Sequence, residues 1–205
     1  MTTIVVTNDS VMVDSRHTWN SSSCVNSKVH SYRKMIYTSA GDTGAGQFKL
    51  YKFIDQLLDE SQPWPEITAD DKLNASYVIV VTSDIVHRDL GRGDVLCLDM
   101  ATGMASHDRY NNEYDFDFSI VDKQVKPVTV YTAGSGGVLY QTFIAINPDP
   151  NAAFEYAIEI DPYSGYPYHK INREDCRVVQ IGELETELCG FGYALRTVAG
   201  KPVLS

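Results

Sequence analysis

No apolar run in this 205-residue chain approaches the roughly 18–20 residues that a helix needs to cross a bilayer. The opening Met1-Thr2-Thr3-Ile4-Val5-Val6 also lacks the basic and apolar regions of a signal peptide, so a soluble, cytoplasmic protein with no membrane partner is expected. Positive charge is scarce. Seventeen Lys and Arg stand against 27 Asp and Glu, a net charge of −10, and a general nucleic-acid binder would need a basic stripe. The four cysteines, Cys24, Cys97, Cys176 and Cys189, have no C-x-x-C spacing and read as thiols. His17, His30, His87, His107 and His169 show no zinc-like pairing, and Asp115, Asp117 and Asp122 lack an EF-hand spacing, so no metal is expected. Gly41 to Gly46 has neither the Lys-Ser/Thr of a P-loop nor a dinucleotide fingerprint, and no cofactor is expected. Internal repeats, linkers and low-complexity segments are absent too.

What remains is an ordinary globular composition, 43% apolar and 21% charged, of a length that fits one domain over residues 1–205. Residues 3–6 and 11–13 are β-branched and apolar around the turn-like Thr7-Asn8-Asp9-Ser10, and predict a hairpin. Residues 15–27 are Ser/Asn-rich and predict a loop. Residues 28–32 and 35–40 predict a second strand pair, turning at Arg33-Lys34. Phe48, Leu50, Tyr51, Phe53, Ile54, Leu57 and Leu58 recur at helical spacing, which predicts a helix over about 43–60. Strands are expected at 77–82, 94–99 and 128–132, helices at 138–146 and 151–160, and short strand-like runs at 177–181 and 191–198. Residues 105–117 carry no clear pattern. Strands and helices grouped in blocks indicate an α+β layered sandwich, not an alternating βαβ fold.

Six short stretches then fall in a telling order: Thr2-Thr3-Ile4-Val5, Asp14-Ser15-Arg16, Lys28, Gly41, Gly134-Ser135-Gly136 and Asp161-Pro162-Tyr163-Ser164-Gly165. In that order they resemble the proteasome-type N-terminal-nucleophile hydrolases, the threonine peptidase family of the proteasome β-subunit and HslV. The resemblance runs through about residues 2–60 and 128–170. It implies a four-layer αββα sandwich assembled as a homo-oligomeric ring, a peptide or unfolded-protein substrate, and an unfoldase ATPase as partner. It also implies a site made of Thr2, Asp14, Lys28, Gly41, Ser135, Asp161 and Ser164. Thr2 would become the N-terminal residue once Met1 is removed.

The chemistry explains why those residue types belong together. A threonine hydroxyl is a poor nucleophile until a base takes its proton. An α-amine, with an ordinary pKa of about 7.7–8.0, is suited to that task near neutral pH. Lys28 would favour the developing alkoxide and keep the amine deprotonated, and Asp14 would orient Lys28. The backbone N–H of Gly41 would donate to the oxyanion, and Ser135, Asp161 and Ser164 would anchor the amine end and relay protons.

Each stretch taken alone has a plainer reading. Thr2-Thr3 could only start a strand, Asp14 with Arg16 or Lys28 could be a surface ion pair, and the glycines could form a tight turn. Two further functions stay open: a catalytically inactive assembly subunit of the same fold, and a small-molecule amidase using the same nucleophile. The chain departs from the family in two places. Only Ser61 to Ser76 separates the first helix from the next strand, so the family's long second helix is reduced or missing, and the tail beyond Ser164 is longer than in HslV.

Overall fold

The computed structural model describes residues 2–19, 22–110, 129–182, 185–189 and 192–196. Strands β1 (Thr3–Thr7), β2 (Ser10–Asp14), β3 (Arg16–Trp19), β4 (Ser22–Val25), β5 (Val29–Tyr32) and β6 (Met35–Gly41) precede helix α1 (Thr43–Leu58). Next come β7 (Ala75–Val81), β8 (Val95–Asp99), β9 (Met104–Asp108) and β10 (Thr129–Gly134), then helices α2 (Gly137–Ile144) and α3 (Pro150–Ile160). The chain continues through β11 (Tyr168–Asn172), β12 (Val178–Ile181), β13 (Glu185–Cys189) and β14 (Gly192–Arg196).

Two antiparallel five-stranded sheets carry the fold, one ordered β10-β1-β2-β11-β12 and the other β5-β6-β7-β8-β9. The two-residue period of their strands sorts side chains between layers. On β1 and β2, Ile4, Val6, Val11 and Val13 point into a core shared with Val78 and Val80 of β7, so the sheets face each other there. Val5 and Met12 point the other way, onto Tyr140 of α2 and Phe154, Ala157 and Ile158 of α3. Tyr77, Ile79 and Val81 leave the opposite face of β7 and meet Leu50, Phe53, Ile54 and Leu57 of α1. The result is a mixed α+β protein with a helix, two sheets and a helix pair in succession, compatible with the expected αββα sandwich. Among the described residues no helix is long and apolar enough to cross a membrane.

The expected first hairpin, the β5–β6 pair and all three helices are present, the first helix ending at Leu58 before Pro63 and Pro65. Asp149 caps α3, its carboxylate accepting from the Asn151 and Ala152 N–H groups, with Pro150 at the first helical position. Residues 15–27, expected as a loop, hold the β3–β4 hairpin instead, a ladder of backbone pairs that a Ser/Asn-rich composition does not announce. β9 had no apolar signature because Met104 to His107 are all exposed, and residues 111–128 lie outside the described residues.

Between α1 and β7, over residues 61–74, the described chain has a single 3₁₀ turn, Ala69–Asp71, and no α-helix. A cavity of about 310 Å³ lies there between α1 and residues 62–71, floored by Phe53 and Met100 and walled by Trp64 and Ile67. It belongs to the α1 layer, on the far side of the β5–β9 sheet from β1.

Arg88 reinforces the end of α1, where the Asp59 N–H already donates to the Gln56 carbonyl. Its guanidinium donates to the carbonyls of Leu57 (2.9 Å), Gln56 (3.0 Å), Asp59 (2.8 Å), Gln62 (3.0 Å) and Pro63 (3.3 Å). Gln56 and Leu57 lie in the last turn of α1 and the other three carbonyls in the loop after it, so Nε and the two shared hydrogens of one terminal nitrogen tie the helix end to that loop. Arg88→Ala is therefore expected to cost about 1–3 kcal/mol, at the scale of hydrogen bonds to a charged group. Amide hydrogen exchange should speed up over residues 55–63 while β1 and β2 stay protected.

Candidate active site

The site forms where the first turns of the chain meet the ends of β2, β10 and α3. Asp14 closes β2 with its carboxylate turned inward, completely buried, and Lys28, just ahead of β5, is only 3% exposed. Asp14 Oδ1 accepts the backbone N–H of Thr3 at 2.7 Å and the Lys28 ammonium at 3.1 Å. Its Oδ2 accepts Lys28 Nζ at 3.0 Å and the Arg16 N–H at 3.0 Å. The surface ion-pair reading is thus corrected: this is a desolvated pair whose carboxylate accepts four hydrogen bonds from three groups. Burial pushes the Asp14 carboxyl up from its ordinary 3.8, outweighing the Lys28 charge and the hydrogen bonds. Burial likewise pushes Lys28 down from 10.5, against the pull of Asp14.

A second cluster holds the other side of the same two residues. The Ser135 N–H donates to the Thr2 carbonyl at 3.1 Å, and the Gly136 N–H donates to Thr3 Oγ1 at 3.1 Å. Thr3 Oγ1 lies 2.7 Å from Ser164 Oγ, which donates to Asp161 Oδ2 at 2.6 Å. Ser135 Oγ donates to that same Asp161 oxygen. Asp161 is the residue after α3, and Ser164 returns its N–H to the Asp161 carbonyl at 3.1 Å, so a short turn presents both side chains together.

The glycines around Ser135 are there because the N-terminal segment lies against them. Gly134 has φ +84°, and a Cβ on it would sit 1.5 Å from the Thr2 carbonyl oxygen. A Cβ on Gly136 would sit 2.1 Å from Thr3 Oγ1. Gly134→Ala combines a left-handed backbone with a collision against main chain, so it is expected to cost about 2–3 kcal/mol. Thermal unfolding of the variant checks this; a midpoint within 1–2 °C, roughly the scale of half a kcal/mol here, would contradict it.

Of the sequence-predicted residues, Asp14 and Lys28 are paired, and Ser135, Asp161 and Ser164 form one cluster, with Thr2 buried between the two groups. Gly41 is placed differently. It ends β6 at φ +90°, where a Cβ would lie 2.3 Å from the Asn74 carbonyl oxygen. Its neighbour Ala40 packs in the inter-sheet core with Ile4 and Ala133, but no hydrogen bond among the described residues joins Gly41 to either carboxylate cluster.

Three residues of the marked stretches, Thr3, Ser15 and Arg16, hold contacts at or beside the site that the sequence did not assign to them. Thr3 contacts both clusters, over separations of 11 and 161 residues that no local pattern reveals. Arg16 donates its N–H to Asp14 and reaches the Pro162 carbonyl at 3.2 Å, passing so close to Gly165 that a Cβ there would lie 3.1 Å from Nε. Ser15 Oγ lies 3.0 Å from His169 Nδ1, both buried, and burial lowers the His169 pKa and so keeps the ring neutral near pH 7. Among the described residues no group of three or more His, Cys, Asp or Glu side chains is placed to hold a metal ion. No protein-family model matches the chain, and no curated protein matches its sequence.

Proposed function

We propose that the chain is a threonine-type N-terminal-nucleophile hydrolase that cleaves amide bonds through an ester on Thr2, exposed as the N-terminal residue by removal of Met1. The observation that supports it best is the buried Asp14 carboxylate, which takes both the Thr3 N–H and the Lys28 ammonium and so holds residue 2 beside a desolvated cation.

In this reading the Thr2 hydroxyl gives its proton to its own α-amine through a water, and Oγ attacks the substrate carbonyl carbon. Lys28 lowers the cost of the developing negative charge on Oγ, the more so for being out of water. The ammonium then returns the proton to the departing amine as the C–N bond breaks. Water hydrolyses the remaining ester by the same exchange and restores Thr2. The Gly41 N–H is assigned to the oxyanion, a contact worth roughly 3–4 kcal/mol where such donors have been removed. Peptides or unfolded chains are the proposed substrates, with like subunits in a ring and an unfoldase ATPase feeding it.

Incubation with a β-lactone tests the reading, because ring opening by a nucleophilic hydroxyl adds the whole lactone mass. The Met-free protein is expected to gain one adduct, mapped to Thr2 and missing in Thr2→Ala, and to release fluorophore from peptide amides faster than that variant. Met-free protein that takes no adduct at Thr2 sinks the proposal.

A further inference from the structure

Thr3 hydrogen-bonds both carboxylate clusters: its N–H goes to Asp14 Oδ1 at 2.7 Å, and its hydroxyl sits among Gly136 N, Ser164 Oγ and Asp161. We infer that the Thr3 hydroxyl is a positioning group for Thr2, setting the nucleophile's place between the Asp14–Lys28 pair and the Asp161 cluster; the inference rests on the Thr2 hydrolase reading.

Proton bookkeeping gives the hydroxyl a defined direction. Ser164 has one O–H, and it is committed to Asp161 Oδ2 at 2.6 Å. The 2.7 Å contact between Thr3 Oγ1 and Ser164 Oγ must then carry the Thr3 proton, since the longer path from Thr3 Oγ1 to Asp161 Oδ2 is 3.5 Å. Gly136 N–H fills a Thr3 lone pair at 3.1 Å. The chain of donors therefore runs Gly136 N–H, Thr3 O–H, Ser164 O–H, Asp161 carboxylate, all buried, with every proton assigned. Such a directional chain has one low-energy arrangement, and its members are held more firmly than separate pairs would be.

The consequence falls on residue 2, because the two anchors on Thr3 lie on either side of its Cα. The N–H end fixes the Thr2–Thr3 peptide against Asp14, and the hydroxyl end fixes it against the loop whose Ser135 N–H holds the Thr2 carbonyl. With the hydroxyl removed, the N-terminal segment keeps its backbone bonds to Asp14 and Ser135 but loses the side-chain tie to Gly136, Ser164 and Asp161, so residue 2 is set less firmly against that loop. A misplacement of about 1 Å lowers reaction rates by roughly 10²-fold without altering substrate contacts elsewhere.

Thr3→Val keeps the β-branched shape and the N–H to Asp14 but deletes the hydroxyl. In β-lactone labelling it is expected to lower the maximal acylation rate about 10–100-fold while the half-saturating lactone concentration stays within about threefold, the split that misplacement alone predicts. Thr3→Ser, which restores the donor, should recover the rate to within about threefold. A purely structural role would lower the melting temperature of Thr3→Val yet leave its acylation rate, measured well below that temperature, equal to wild type; that outcome overturns the inference. Thr3→Ala, tested alongside, keeps it falsifiable should Thr3→Val not fold. Wild-type protein with Thr2 N-terminal that takes no adduct refutes the hydrolase reading and this inference together. Normal wild-type labelling with unchanged Thr3→Val and Thr3→Ala rates refutes this inference only.

Discussion

Lys28→Met is expected to destabilise the protein by about 3–5 kcal/mol, the range for removing one partner of a buried ion pair, and to slow Thr2 acylation by at least roughly 10²–10³-fold, the scale for losing a transition-state charge contact. The stability loss arises because Asp14 stays behind, fully buried, holding only the backbone N–H groups of Thr3 and Arg16. Asp14→Asn is expected to weaken the site from the other side, since the uncharged amide no longer balances a Lys28 that is 3% exposed. The double variant Asp14→Leu/Lys28→Met separates the two roles. It removes both charges, so stability should return to wild type or exceed it, while acylation stays lost. Urea unfolding and β-lactone labelling of the three proteins check this, and a double variant less stable than both singles would contradict it.

The direction of both pKa shifts supports that expectation. A folded-state value raised above 3.8 for Asp14 means that the native protein holds that proton more tightly than the unfolded chain does. Its contribution to stability is therefore fully present below pH 3.8 and is lost as pH rises through the folded value. Lys28, lowered from 10.5, contributes fully above that pH and loses the contribution as pH falls through its folded value. Between those limits the ionised pair is a net cost to folding. Replacing such a pair by well-packed apolar side chains is often neutral or stabilising, which is why the double variant is expected to regain the stability that either single change loses.

The reach of the sequence follows from the range of the interactions it encodes. The unbroken apolar runs Ile4 to Val6 and Val11 to Val13 predict β1 and β2, and they are apolar throughout because one strand face meets the other sheet and the other meets the helices. Helical spacing at Leu50, Phe53, Ile54 and Leu57 predicts α1 for the same kind of reason. β9 and the β3–β4 hairpin are held by ladder hydrogen bonds with little apolar burial in β9, so periodicity had nothing to report. At the site, residue types in order marked Asp14, Lys28, Ser135, Asp161 and Ser164, yet whether Asp14–Lys28 was a surface pair or a buried one depends on packing that only the fold supplies. The sequence gives Thr3 no role of its own beside Thr2, because its contacts lie 133 and 161 residues away.

At the opposite end of β1 from Thr3, Arg173→Met is expected to cost about 3–5 kcal/mol, as for other broken buried ion pairs, and to lower the melting temperature by roughly 10–15 °C for a chain of this size. Arg173 is completely buried and its fork joins the two sheets: Nε donates to the Gly93 carbonyl at 2.9 Å, one terminal nitrogen to the Thr7 carbonyl at 3.0 Å and to Asp108 Oδ2 at 2.6 Å, and the other to the Asp108 carbonyl at 3.1 Å. Thr7 ends β1 in one sheet, while Gly93 precedes β8 and Asp108 ends β9 in the other. Methionine would fill much of the volume but leave three carbonyl oxygens and a buried carboxylate without that donor. Arg173→Lys should recover only part of the loss, because a single ammonium cannot reproduce a planar fork with donors in several directions. Acylation of Thr2 in folded Arg173→Met at 20 °C should match wild type, since the Asp14 and Asp161 clusters sit at the other end of β1. A midpoint within 3 °C of wild type would show that the sheets do not depend on this guanidinium, and a selective loss of acylation would instead tie it to the site.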